Sequence, residues 1–227
     1  MKQDTARVTQ LTFDQHLGRR RKRRGRKKNP NSGVPHLKRE EITPHVPAHI
    51  TKNLMEGLPP LRQDVVRAVI HQVLREMREQ WDAGPEHWFH VVHFSILDTH
   101  IHLIVEGSDR ATLSNGLNSL FARLAKALNK LWGRSGTVSA DRFHEHLLRT
   151  PREVRNAIRY VFRNARKHGI FLRKDRPDPF SSGMWFDGWK SYVYDGWMGL
   201  EGPVAKARSW LLSKGWRRYG LLDLPWA

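Results

Sequence analysis

The chain has 227 residues, with 40 Lys and Arg against 22 Asp and Glu, a net charge of +18, and no cysteine. That length suits one domain plus tails, and the missing thiols exclude disulfides and thiolate metal sites, so any metal must use His, carboxylate or amide ligands. The positive excess points to nucleic acid; with no run of 18 apolar residues and a polar start, no transmembrane or secretory segment is expected, and the chain reads as intracellular.

Residues 1–45 read as a disordered basic arm with 13 basic and 4 acidic residues, including nine positive charges between Gly18 and Lys28. Such a block repels itself and cannot pack, but it can bind phosphate without sequence preference, with Arg20, Arg21, Lys22 and Arg23 at its centre. A first strand is expected over Val46–Lys52, with Pro47 at its start. Leu61–Trp81 follows as a helix on the recurrence of Leu61, Val65, Val66, Val69, Ile70, Val73 and Met77. Trp88–Leu97 and His100–Glu106, rich in β-branched and aromatic residues, form a hairpin. A second helix runs to about Trp132 on the stripe Leu113, Leu117, Leu120, Leu124, Leu128 and Leu131, with Arg123 and Lys126 off the stripe. Arg142–Arg149 is a fourth strand. Thr150-Pro151-Arg152-Glu153 opens a third helix with a capping box, and His168-Gly169 stops it.

The order β-α-β-β-α-β-α predicts an α+β fold: a ferredoxin-like split βαβ antiparallel sheet with both helices on one face and the third helix across the other. The core domain spans residues 46–172. From residue 173 to 227 the chain is Trp-rich and irregular, an extension expected to pack on the domain, its tryptophans burying surface rather than stacking on bases.

The candidate chemistry begins at His100-Ile101-His102. Alternation along a strand puts both imidazoles on one face and locks Ile101 into the core, which starts a divalent metal site. Alone, a His-x-His is common. The third helix supplies a partner, because Tyr160 and Asn164 are one turn apart beside its buried stripe of Val154, Ala157, Ile158, Val161 and Ala165. A phenol can attack a phosphodiester when a metal polarises a non-bridging oxygen, and an amide oxygen can complete the ligand set. A second His-x-His, His144-Glu145-His146, has a charged centre and reads as a surface or DNA-facing pair.

Three blocks in this order resemble the REP-associated branch of the IS200-like single-tyrosine HUH transposases: His100–Glu106, Thr150–Gly169 and Ser182–Trp189. His49-Ile50-Thr51 is similar to the first strand of that family. The resemblance implies a bacterial, cytoplasmic, nucleoid-associated enzyme that cleaves and rejoins single-stranded DNA at REP-like hairpins, as a monomer or homodimer. It further implies Tyr160 as nucleophile, a 5′-phosphotyrosine intermediate, and Mg²⁺ or Mn²⁺ on His100, His102 and Asn164. Arg159 and Arg163 on the tyrosine helix, with Arg123 and Lys126, are candidate DNA contacts. Two positions depart from the family pattern: Thr99 stands where Asn is common, and Ala165 follows Asn164 where Pro is common. Two other readings stay open. One is a non-catalytic nucleic-acid-binding module on a ferredoxin-like sheet, and the other a hydrolase in which metal-bound water attacks.

Overall fold

The computed structural model describes residues 39–81, 87–174, 176–190 and 201–224. The arm residues Arg20, Arg21, Lys22 and Arg23 lie outside them, as does Trp197. Four strands, β1 (Ala48–Asn53), β2 (Phe89–Ile96), β3 (His100–Gly107) and β4 (His144–Leu147), pair antiparallel in the order β2-β3-β1-β4. With α1 (Asp64–Trp81) and α2 (Arg110–Leu131) this is the ferredoxin-like arrangement, and α3 (Pro151–Lys167) follows it.

One face of the sheet holds the larger core. Ile50, Phe94, Ile101, Leu103 and Val105 pack there against Val66, Ile70, Val73, Leu74 and Met77 of α1 and the leucines of α2. The expected α1 stripe needs one correction: Val65 is 57% exposed, and Leu74 is buried in the stripe instead. Leu131, at the last turn of α2, is also exposed. The helix starts at Asp64 rather than Leu61, yet Leu61 is fully buried and its N–H donates to Asp98 O at 3.0 Å, tying the turn before α1 to the hairpin.

Gly116 sits where α2 crosses β2. A Cβ there would lie 2.2 Å from Cγ of Phe89, itself buried at 1% exposure. Alanine is the better helix former by about 1 kcal/mol, but overpacking a core typically costs about 1–3 kcal/mol, and here the buried Phe89 ring must shift to make room. Urea unfolding of Gly116→Ala should therefore show net destabilisation; an unchanged midpoint would mean that the α2–β2 contact is looser than described.

The second face carries α3. Its capping box is complete: Thr150 Oγ1 accepts from Glu153 N at 3.2 Å, and a Glu153 carboxylate oxygen accepts from Thr150 N at 3.1 Å. Pro151 occupies its first turn, and Gly169 at φ 74° ends it in the left-handed region that favours glycine. Val154, Ala157, Ile158 and Val161 cluster with Val92 and Ile104 of the sheet, and Ala165 is fully buried. A β-bulge between Val91 and His93 turns Val92 to this side while Val91 and Phe94 keep the other core filled.

The described part of the C-terminal extension closes over α3 and the β2 edge. Phe162, one turn on from Ile158 and on the opposite flank of α3 from Tyr160, meets Phe186 and Trp189, and Phe186 stacks on Trp216 at 5.4 Å. Ile96 N donates to Phe180 O and Ala205 N to Val91 O, so the edge strand gains partners. The Glu106 carboxylate, fully buried, accepts the N–H groups of Arg208 and Ser209 and pins the extension to the end of β3. Trp189 and Trp216 are buried, whereas Trp210 is 44% exposed.

Candidate active site

Period-two alternation sends His49 and Thr51 of β1, and His100 and His102 of β3, to the face under α3, while Ile50, Ile101 and Leu103 fill the opposite core. Register pairs Thr51 with His102, and the strands' adjacency brings four polar side chains together on a rigid floor. Above them, helical spacing places Tyr160 and Asn164 on one line of α3, which His168 at its C-cap extends.

The two layers meet as rings. His100 and His102 lie 4.9 Å apart at 88°, and Tyr160 stands edge-on to His102 at 5.3 Å and to His49 at 5.6 Å. His168, just past the end of α3, touches His100 at 5.1 Å. Asn164 is 1% exposed and lies midway along the helix between the residues that contact His102 and His100. The structure thus gathers His100, His102 and Tyr160 directly, with Asn164 between them along the helix line.

Each histidine of the pair is held through Nδ1. Thr99 Oγ1 lies 3.1 Å from His100 Nδ1, and Thr51 Oγ1 lies 3.0 Å from His102 Nδ1. With Nδ1 engaged, Nε2 of both rings remains buried without a protein partner, and so does Asn164 Nδ2. Orphaned buried nitrogens on two oriented imidazoles are what a metal ligand pair requires, with the hydrogen bond to the other nitrogen setting the ring's direction. Among the described residues no three His, Asp or Glu gather to hold an ion, so a metal here would rest on two imidazoles and an amide oxygen. The departure at Thr99 has a physical role: its hydroxyl meets the first histidine.

Burial keeps these groups neutral. It pushes the His100 imidazole down to about 3, helped by facing His168, and holds His102 well below its ordinary value, with His49 and His100 adding to the effect. Neutral imidazole is the ligating form. Burial also raises the Tyr160 phenol to about 12, so the hydroxyl is a protonated, weak nucleophile that requires activation. Lys167 Nζ lies 4.5 Å over the Tyr160 ring, and its own charge is disfavoured by burial and by Arg159 and Arg163.

Arg155, Arg159, Arg163 and Lys167 recur at helical spacing along the same helix, a cationic ridge beside the tyrosine. Arg123 and Lys126 sit elsewhere: they are on α2, across the sheet, where Arg123 donates to Gln80 Oε1 at 2.5 Å. His146 pairs with His49 and His144 with Thr51 in register, so alternation turns both toward the α3 face, while Glu145 turns to the other side and binds Arg110 at 2.7 Å. In the sequence His49 and Thr51 carry only a strand resemblance, and His168 reads only as part of a helix stop. Their signal becomes readable once β1 is placed next to β3 and the helix line is extended by eight residues from Tyr160.

No family model matches the chain. A protein of Haemophilus influenzae strain Rd, named as a REP-associated tyrosine transposase, is 30% identical over 127 residues, covering 51% of this chain and 72% of its own length. A solved structure of a REP-associated tyrosine transposase bound to a REP hairpin shares the fold, with a TM-score of 0.52 and 21% identity over 71% of this chain and 94% of that one. The curated relative, matched over 72% of its length, puts the chain in the class of tyrosine transposases. Within that class, the chain belongs to the REP-associated tyrosine transposase family.

Proposed function

We propose that the chain cleaves and rejoins single-stranded DNA at REP-like hairpins, with Tyr160 as nucleophile and a divalent ion, Mg²⁺ or Mn²⁺, held by His100, His102 and Asn164. The observation that carries this is the Tyr160 ring standing edge-on to His102, beside two imidazoles whose Nε2 atoms are buried and unshared. The relative's bound REP hairpin supports the choice of substrate.

When bound, the ion supplies Lewis-acid polarisation of a non-bridging phosphate oxygen. The chain's residues do the rest. Tyr160 Oη attacks phosphorus in line, the bond to the 3′ oxygen breaks, the phenol proton is lost to solvent and the 3′ oxygen is reprotonated. The product is a 5′-phosphotyrosine with a free 3′-hydroxyl, and the reverse attack by a 3′-hydroxyl restores the phosphodiester without ATP. Lys167 and the α3 arginines offset charge on the approaching strand. The arm over residues 1–45 adds non-specific phosphate contacts, the residue 46–172 domain holds the chemistry, and the extension over 173–227 braces the tyrosine helix. A protein with this activity works on chromosomal DNA, at the nucleoid of a bacterial cytoplasm. None of the described helices is long and apolar enough to cross a membrane.

The binding-module alternative loses ground on one observation. Ferredoxin-like RNA binders stack bases on an open sheet face, and here that face is covered by α3.

Incubation with a labelled REP-like hairpin and Mn²⁺ should give a protein–DNA adduct on a denaturing gel that chelator abolishes. Tight binding without adduct or cleavage, across several hairpins and both ions, would overturn the proposal. The ridge gives a second test: Arg159→Ala with Arg163→Ala should weaken binding at all sequences alike and lower the slope of log affinity against log salt by about one per residue. An unchanged slope would remove both from the interface.

A further inference from the structure

His49 touches both halves of the site. Its Nε2 lies 3.2 Å from His102 Nδ1, with the rings within 12° of parallel, and its ring edge meets Tyr160 at 5.6 Å. It is 2% exposed on the central strand β1 and fixed by register beside β3. We infer that His49 is a positioning residue for the metal: its Nε2 accepts the Nδ1–H of His102 and so fixes the tautomer that directs His102 Nε2 to the ion.

The position of one proton sets which nitrogen of His102 is free to ligate. A neutral imidazole carries a single N–H, and His102 can offer Nε2 to a metal only if that hydrogen is on Nδ1. Two groups face Nδ1. Thr51 Oγ1, at 3.0 Å, does not decide the matter, because a hydroxyl donates as readily as it accepts. His49 shares one hydrogen with His102 across the 3.2 Å contact, and on this inference it belongs to His102: with the His49 hydrogen on Nδ1, its Nε2 can only accept, and the His102 hydrogen is held on the side away from the ion. The same ring abuts Tyr160, so ligand orientation and nucleophile placement depend on one side chain. Such outer partners are worth about 10–100-fold in metal affinity.

This inference rests on the metal reading of the site, and the test separates the two. Mn²⁺ is titrated into the full chain, free ion being followed by electron paramagnetic resonance, for the natural protein, His49→Phe and His49→Gln. Phenylalanine keeps a ring against Tyr160 and removes the acceptor; glutamine returns an acceptor oxygen near the Nε2 position. His49→Phe should bind Mn²⁺ about 10–100-fold more weakly while folded by circular dichroism, and His49→Gln should recover most of the loss. In the metal-free natural protein, nitrogen-15 shifts should put the His102 proton on Nδ1. That measurement decides the matter even if His49→Phe does not fold. Unchanged Mn²⁺ affinity in folded His49→Phe, or a His102 proton on Nε2, overturns the role of His49 alone. Failure of the natural protein to bind Mn²⁺ overturns the metal reading and this inference with it.

Discussion

Tyr160→Phe should still bind hairpin DNA but form no covalent adduct, with strand cleavage reduced by several orders of magnitude. The substitution is narrow. Phenylalanine keeps the ring that stands against His102 and His49 and lies under Lys167, so the packing of α3 on the sheet survives and stability should stay within about 1 kcal/mol. Only the hydroxyl goes, and with it the atom that would bond to phosphorus. Loss of a covalent nucleophile removes catalysis almost as completely as loss of the whole constellation. If Tyr160→Phe keeps cleaving without an adduct, water is the nucleophile and the chain is a metal-dependent hydrolase built on a transposase fold. Parallel binding curves for the two proteins separate lost chemistry from lost affinity.

The second large effect is acid lability. Four buried histidines are held neutral: His49, His93 and His100 at about 3, and His71 at about 4, in each case chiefly by burial. The unfolded chain protonates each near the ordinary histidine value of 6.5, while the folded chain resists until its own lower value. Between those limits the unfolded state holds more protons, so stability is fully present above about pH 6.5 and falls as pH drops. Each group loses about 1.4 kcal/mol per pH unit in that window, and four lose about 5–6 kcal/mol together, which is comparable to the stability of a typical domain. Circular dichroism should therefore show cooperative unfolding between about pH 6 and pH 4. His71 gives the control, since its ring packs on Phe94 and Trp185 away from the candidate site and its Nε2 is buried without a partner. His71→Phe should move the transition to lower pH. A protein that stays folded at pH 3 would contradict the burial of these imidazoles.

Most of the architecture was legible because it is written locally. The capping box at Thr150 and Glu153, the leucine stripe of α2 and the alternation around His100 and His102 each encode one element, and their order encodes the sheet. What escaped depends on distant partners. The bulge at Val92 carries no turn residue to announce it, and Arg62 and Asp178, paired twice at 2.8 Å, are separated by 116 positions. At the site, His100, His102, Tyr160 and Asn164 stood out through spacing within single elements. His49 and Thr51 did not, because their meaning comes from lying next to β3, which no pattern inside β1 reveals. Arg123 and Arg159 look alike as helix charges off an apolar stripe; only the packing of α2 and α3 on opposite faces separates them.

The central claim is that Tyr160 forms the covalent bond to DNA, and peptide mapping tests it most directly. The chain has four tyrosines, Tyr160, Tyr192, Tyr194 and Tyr219. After reaction with a short hairpin and Mn²⁺, nuclease trimming and proteolysis, tandem mass spectrometry should find the nucleotide remnant on the peptide containing Tyr160, and the mark should disappear in chelator. A remnant on any of the other three tyrosines, or cleaved DNA with no marked peptide, would contradict the account.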